Sequence, residues 1–188
     1  MLVESKRDMR RRIVRLRDHQ TESGMAELSE AICRRLFSIE MVAKAEDILL
    51  YADYGSEVRT GSIFARAKRM HKNIFYPRVE GDELCFYRVE DLSELQVGFH
   101  GIQEPFMQKH IAADFIYTAV AVVPGTVFSR DGYRIGYGKG FYDRFLARYP
   151  KVFKVGLAYE VQLVDTIPRE AHDVRLNGLV TEEQALFW

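Results

Sequence analysis

Four glycines and two basic residues lie close together between Val122 and Leu146. The glycines are Gly132, Gly136, Gly138 and Gly140, and the basic residues among them are Arg134 and Lys139. Glycines let a backbone approach an anion closely, and a helix that begins after such a loop offers unpaired N–H groups. The stretch therefore predicts a phosphate-binding loop. We expect both cations to face solvent, so that their removal should barely change stability.

The spacing of these glycines excludes two common phosphate motifs. Gly136, Gly138 and Gly140 do not follow G-x-G-x-x-G, the dinucleotide-binding pattern. A P-loop requires Ser or Thr after its Lys, and Gly140 follows Lys139 instead. An ordinary strand-to-helix turn with two solvated cations remains the alternative.

Apolar periodicity predicts the elements that position this loop. Helices are predicted over about 4–17, 25–39 and 141–149, with another capped by Thr60. Strands are predicted over 47–52, 74–79, 84–89, 115–123 and 153–159, with a short one ending near Val180. Gly81 and Asp82 predict a hairpin turn between the second and third of these strands. This alternation predicts an α/β fold, a three-layer α/β/α arrangement whose mostly parallel central sheet contains 115–123 as its central strand. We expect one domain over residues 1–188.

Charge and cysteine content narrow the functional class. The chain has 27 basic and 27 acidic residues, so its formal net charge is zero, which argues against nucleic acid or an anionic membrane as partner. Cys33 and Cys85 have no metal-ligand spacing and are expected to be inert thiols. No apolar run approaches the roughly 20 residues of a membrane span, and no signal peptide is visible. We expect a cytoplasmic monomer that acts on a small molecule.

The glycine-rich stretch also resembles a known family. The run Gly132–Asp143, preceded by VPG, closely resembles the signature of the 5-formyltetrahydrofolate cyclo-ligases, also called methenyltetrahydrofolate synthetases. Weaker likenesses follow in the family's order at Lys6–Arg10, Gly55–Val58, Gly101–Pro105, Gln162, His172–Asp173 and Val180–Glu182. The resemblance implies an enzyme that uses ATP and Mg²⁺ to phosphorylate the formyl oxygen of 5-formyltetrahydrofolate. Nitrogen 10 then attacks the activated carbon, which gives 5,10-methenyltetrahydrofolate, ADP and phosphate.

The resemblance also implies roles for single residues. ATP would be bound by Lys6, Arg10, Arg134, Gly136, Gly138, Lys139, Gly140 and Tyr142, with Arg134 and Lys139 acting on the transferred phosphoryl group. The reduced folate would be bound by Ala52, Glu57, Tyr137 and Phe141. Magnesium would be held by Asp143 and Asp173.

Plainer alternatives stand beside these roles. Lys6 and Arg10 share a helix with several other arginines, Arg17 among them, which we expect to be solvated. Glu57 is a solvated loop carboxylate in the alternative interpretation, and Asp143 only complements a helix dipole. The chain departs from the family pattern at Arg59, Ser129 and Asn177, which affects details of the substrate pocket and the C-terminal metal region.

Two other functions remain open. A sugar-phosphate isomerase or a CoA-handling enzyme would use the same anion loop on a related α/β scaffold without hydrolysing ATP. A nucleic-acid binder would use the basic first helix, although Glu4 and Asp8 in that helix argue against it.

Overall fold

The computed structural model describes residues 4–106 and 119–188. Its helices are α1 (Lys6–Asp18), α2 (Glu22–Leu36), α3 (Glu40–Lys44), α4 (Gly61–Arg69) and α5 (Phe141–Arg148). Its strands are β1 (Asp47–Leu49), β2 (Asn73–Glu80), β3 (Glu83–Arg88), β4 (Leu95–Val97), β5 (Gln103–Pro105), β6 (Val120–Val123), β7 (Val127–Ser129), β8 (Arg134–Ile135), β9 (Phe153–Leu157), β10 (Leu163–Val164), β11 (Gly178–Val180) and β12 (Ala185–Phe187). No helix in these two ranges is long and apolar enough to cross a membrane.

A seven-stranded sheet in the order β12-β11-β9-β6-β1-β2-β3 forms the centre of the fold. The strands from β11 to β2 pair in parallel, and β12 and β3 close the two edges antiparallel. The predicted α/β fold with a mostly parallel sheet is therefore confirmed. The predicted central strand is confirmed at β6, whose four residues are buried and which is the fourth of the seven strands. Residues 115–118 of that prediction lie outside the described ranges.

Alternate side chains of the central strands supply the two faces of the sheet. Ile48 and Val122 pack in one apolar cluster with side chains of α2 and α4. Leu49 and Val123 point the other way, into a cluster with Phe145 of α5. A small sheet in the order β10-β7-β8 lies beside the second cluster, which Phe128 of β7 joins. Helices therefore cover both faces of the sheet.

Helix α1 packs on the small sheet. Its buried Met9 and Ile13 lie in a separate apolar cluster with Val127 of β7, Ile135 of β8 and Ile167. Ser5 begins the helix, and its side chain accepts a hydrogen bond from the Asp8 N–H at 3.2 Å. The short sheet thus carries α1 on its surface and continues from β8 directly into the glycine-rich loop.

Two local predictions need correction. The helix predicted over 25–39 ends at Leu36, and a separate short helix begins at Glu40. Thr60 takes the N-cap position of α4, but its hydroxyl donates to Tyr51 O at 2.9 Å and lies 2.8 Å from Asp53 Oδ1. Its backbone is already helical rather than extended, so its side chain makes no capping hydrogen bond. The predicted hairpin is confirmed, with Gly81 at φ +59° in the turn between β2 and β3.

Candidate active site

The glycine-rich loop runs from β8 to the first residue of α5. Gly138 has φ +98° and Gly140 has φ +67°, values that strain any residue with a Cβ atom. Gly136 has no such φ, and a Cβ atom there would meet no other atom within 4 Å. Two of the three glycines are therefore required by the path of the loop, whereas Gly136 leaves open space beside the backbone.

Two side chains of α1 hold this region from one side. Arg10 Nε donates to Gly136 O at 2.7 Å, and Lys6 Nζ lies 2.8 Å from Asp173 Oδ2 and 3.4 Å from Glu170 Oε1. The four-residue spacing does place Lys6 and Arg10 on one face. Both side chains are engaged with the predicted site, so neither belongs to a merely solvated surface.

Arg134 and Asp143 form an ion pair inside the loop. Arg134 Nη1 lies 3.1 Å from Asp143 Oδ1, and only 3% of the Arg134 side chain is exposed. The expectation that Arg134 faces solvent is therefore wrong. The short strand β8 buries its side chain against the first turn of α5, where Asp143 supplies the opposite charge. Removal of Arg134 should therefore lower stability, contrary to the prediction from the sequence.

Lys139 is the exposed cation of the loop. Its backbone carbonyl accepts a hydrogen bond from Arg144 Nη1 at 2.9 Å, which fixes the loop to α5. The part of the chain that the structure describes offers its amine no carboxylate partner. The prediction that Lys139 faces solvent is therefore confirmed.

The two predicted metal ligands lie on neighbouring segments. Asp143 Oδ1 accepts a hydrogen bond from the Val174 N–H at 3.2 Å. Val174 directly follows Asp173, so this bond brings the Asp173 segment close to Asp143. Burial alone would raise the pKa of the Asp173 carboxyl, but the Lys6 ammonium and the Glu170 N–H hold it below its usual range. Asp173 therefore stays ionised at neutral pH.

These two carboxylates fit a magnesium ion that also binds phosphate. Each uses one oxygen in an ion pair, Asp143 with Arg134 and Asp173 with Lys6. No group of three or more potential metal ligands occurs within residues 4–106 and 119–188. Magnesium commonly takes one or two carboxylates and completes its shell with phosphate oxygens and waters. The donor set suits an ion that arrives with a nucleotide.

Glu57 lies in the turn after β1 and is buried rather than solvated. Only 5% of the residue is exposed, and its Oε2 accepts from the Tyr54 N–H at 3.0 Å. Its Oε1 is buried without a partner among the described residues. Burial raises the pKa of Glu57 to about 7, although the Tyr54 N–H, Arg17 and Tyr137 oppose the shift. The carboxylate is therefore poised to change charge near neutral pH.

Aromatic side chains surround these polar groups. Tyr137 is 50% exposed, and its hydroxyl lies 3.5 Å from Arg17 Nη2. Phe141 meets Phe99 edge to face, with ring centroids 5.9 Å apart. Of the other predicted substrate contacts, Ala52 is buried in the same apolar cluster as Ile48 and Val122. Phe99 was missed from the sequence, because the β4–β5 hairpin that presents it comes from a segment without a strong strand pattern.

Unpaired polar atoms concentrate around the loop and the Glu57 turn. Six buried side-chain atoms lack a hydrogen-bond partner among the described residues, and four of them are Arg17 Nη1, Glu57 Oε1, Arg134 Nε and Tyr142 Oη. Such atoms are rare in folded proteins, because a buried donor or acceptor without a partner is costly. Their concentration here indicates a ligand-binding site.

The prediction that Arg17 is solvated is wrong. It is 3% exposed and belongs to the buried face of α1. A signal for this existed in the sequence, since Met9, Ile13 and Arg17 follow one another at four-residue intervals and so share a helical stripe. The many neighbouring arginines concealed it.

Comparison with known proteins identifies the family of this chain. The 5-formyltetrahydrofolate cyclo-ligase of Escherichia coli is 26% identical over 89% of this chain and 95% of its own length. The enzyme of that name from Saccharomyces cerevisiae is 27% identical over 99% of both chains. The solved structure of Aquifex aeolicus 5,10-methenyltetrahydrofolate synthetase superposes with a TM-score of 0.85 at 34% identity, covering 97% of this chain and 92% of that one. The family profile matches residues 2–182, and the chain therefore belongs to the 5-formyltetrahydrofolate cyclo-ligase family.

Proposed function

We propose that this protein converts 5-formyltetrahydrofolate to 5,10-methenyltetrahydrofolate with MgATP, releasing ADP and phosphate. The observation that carries the proposal is the contact between the glycine-rich loop and Glu57, a buried hydrogen-bond acceptor. The loop supplies Arg134, Lys139 and glycine backbone, and its Tyr137 interacts with the Glu57 carboxylate. This contact supports a phosphate site beside a site for N–H groups, which transfer between ATP and a pterin would require.

The chemistry needs little from the protein beyond position and charge. The formyl oxygen attacks the γ-phosphoryl group, and ADP leaves with the electrons of the broken P–O bond. Nitrogen 10 of the folate then attacks the activated formyl carbon, and this new C–N bond closes the ring. The intermediate loses the N10 proton to solvent and expels phosphate, which forms the C=N bond of the methenyl product. The substrate brings its own nucleophile, so the preorganised charges Arg134 and Lys139 provide the main rate effect.

Each residue of the site has a role in this scheme. Lys139 and Arg134 bind the transferring phosphoryl group, while Lys6 and Arg10 bind the rest of the phosphate chain. The Tyr142 hydroxyl, which lacks a partner among the described residues, donates to the nucleotide. Asp143 and Asp173 hold magnesium, which would neutralise charge on the phosphates when bound. Glu57 accepts hydrogen bonds from the pterin N–H groups, and the aromatic rings of Tyr137 and Phe141 pack against the pterin.

The purified protein should form the methenyl product only when ATP and a divalent cation are both present. The reason is that Asp143 and Asp173 each leave an oxygen for a cation whose remaining ligands would come from phosphate. The product is followed by its absorbance, and ADP by a coupled assay. Omitting the folate and adding EDTA are the controls.

Three outcomes would contradict this proposal. Full turnover in EDTA would show that the two acids do not act through a metal. ADP release that does not depend on the folate, or no product with any nucleotide, would favour a different enzyme on this scaffold. We propose that the active species is a monomer, which sedimentation of the active protein would test.

A further inference from the structure

Arg17 is a buried cation at the end of a helix otherwise rich in exposed arginines. Its Nε donates to Ser56 Oγ at 2.8 Å, and its Nη2 lies 3.5 Å from the Tyr137 hydroxyl. Its Nη1 is buried and meets no acceptor in the described part of the chain. Burying a charged donor without an acceptor costs free energy, so an acceptor on a ligand would stabilise this arrangement.

Arg17 lies next to the Glu57 turn as well as next to the phosphate loop. Ser56, which accepts from Arg17 Nε, directly precedes Glu57 in the chain. The positive charge of Arg17 is also close enough to lower the pKa of the Glu57 carboxyl against the effect of burial. Arg17 Nη1 and Glu57 Oε1 are therefore a buried donor and a buried acceptor, each without a partner among the described residues, on neighbouring side chains.

A fused pyrimidinone ring presents the complementary pattern. On its polar edge a carbonyl oxygen lies next to a ring N–H and an exocyclic amino group. We propose that Arg17 is a substrate-binding residue whose Nη1 donates to the ring carbonyl oxygen of the bound pterin, beside the N–H groups that Glu57 accepts. This inference rests on the proposed function, because it takes the ligand to be a reduced folate.

The pairing would determine how the ring is oriented. A ring turned over would place its carbonyl oxygen against the Glu57 carboxylate and leave the Arg17 guanidinium facing N–H groups. Both contacts would then be repulsive, since acceptor would meet acceptor and donor would meet donor. Arg17 thereby selects pterins with an oxygen at position 4 against those with an amino group there, by leaving its own donor unsatisfied with the latter.

The test compares 5-formyltetrahydrofolate with its 4-amino analogue by calorimetric titration of the full-length protein. The wild type should prefer the 4-oxo ligand, and Arg17→Met should reduce that preference by about tenfold or more, the factor expected for a hydrogen bond from a charged donor. Affinity for a non-hydrolysable ATP analogue should change by less than about threefold. Arg12→Met is the matched control, because Arg12 is exposed and contacts only Glu4 among the described residues.

Each outcome separates this inference from the proposed function. If the wild type binds neither folate, the proposed function fails. If it binds both but Arg17→Met and wild type prefer the 4-oxo ligand equally, only the role of Arg17 is overturned. Arg17→Lys retains the charge and guards against a folding defect in the Met variant. It should show a smaller loss of preference in the same direction, and an unchanged preference would count against the inference.

Discussion

Lys139→Ala and Arg134→Ala should each lower kcat/KM for ATP by about 100-fold or more. Charge develops on the transferring phosphoryl group, and removal of one preorganised charged contact commonly costs this much. Steady-state kinetics at saturating folate would measure the effect. Arg12→Ala, on the exposed side of α1, is the control and should remain close to wild type.

The two variants should differ in stability, which makes Lys139 the cleaner test. Lys139 is exposed, so its loss should change the free energy of unfolding by less than about 0.5 kcal/mol. Arg134 is 3% exposed, and its removal leaves Asp143 without its cation, a change that costs about 3 kcal/mol in comparable buried pairs. Chemical denaturation would show the contrast. Full activity in Lys139→Ala would mean that the loop is an ordinary turn.

Glu57→Gln should raise the folate KM by about 10- to 100-fold and leave the ATP KM nearly unchanged. The amide keeps the size of the side chain, but it loses the charge that strengthens hydrogen bonds from pterin N–H groups. In the wild type, kcat/KM for the folate should fall as the pH drops below about 7, because Glu57 then becomes protonated. The variant should lack this dependence. Equal effects on both substrates would show that Glu57 is structural.

The same substitution should change stability in a pH-dependent way. The pKa of Glu57 is raised from 4.5 to about 7 in the folded protein. Between these values the folded state binds more protons than the unfolded state, so this group makes stability fall as the pH rises from 4.5 to 7. At pH 8 the burial of the charge costs on the order of 3 kcal/mol. Glu57→Gln should therefore be more stable than wild type at pH 8, whereas the exposed control Glu27→Gln should not.

The sequence predicted those parts of the fold that local patterns determine. Val120–Val123 is uniformly apolar, and Gly81 marks a hairpin, so the central strand and the β2–β3 turn were recognisable. The short strands β7, β8 and β10 were not, because two or three residues carry no periodicity and pair only through tertiary contacts. Thr60 has a capping residue type, but its helical backbone lets the hydroxyl bond to Tyr51 and Asp53 instead of accepting from the first N–H groups of α4.

The candidate site divides in the same way. The glycine loop and its two cations were visible because they are contiguous in sequence. The burial of Arg134 was not, since its partner Asp143 comes nine residues later across a loop of unknown path. In the sequence Glu57 is indistinguishable from an ordinary loop carboxylate, and its burial depends on packing by the rest of the chain. Charge and residue type can thus be read from sequence, but the exposure of a charged group depends on what the rest of the chain places over it.

The packing of α1 on the small sheet implies an uneven distribution of local stability. Its apolar face contacts β7 and β8, whereas the central strands are covered on both sides by other elements. Amide protons of α1 should therefore exchange with solvent through partial openings that need less free energy than opening β6 or β9. The helix also carries three side chains that bond to the site. Lys6 bonds to Asp173, Arg10 to the loop at Gly136, and Arg17 to Ser56 in the Glu57 turn. Substrates that contact these groups would slow the exchange of amide protons in α1. Part of their binding free energy would therefore appear as a higher free energy for the partial opening of this helix.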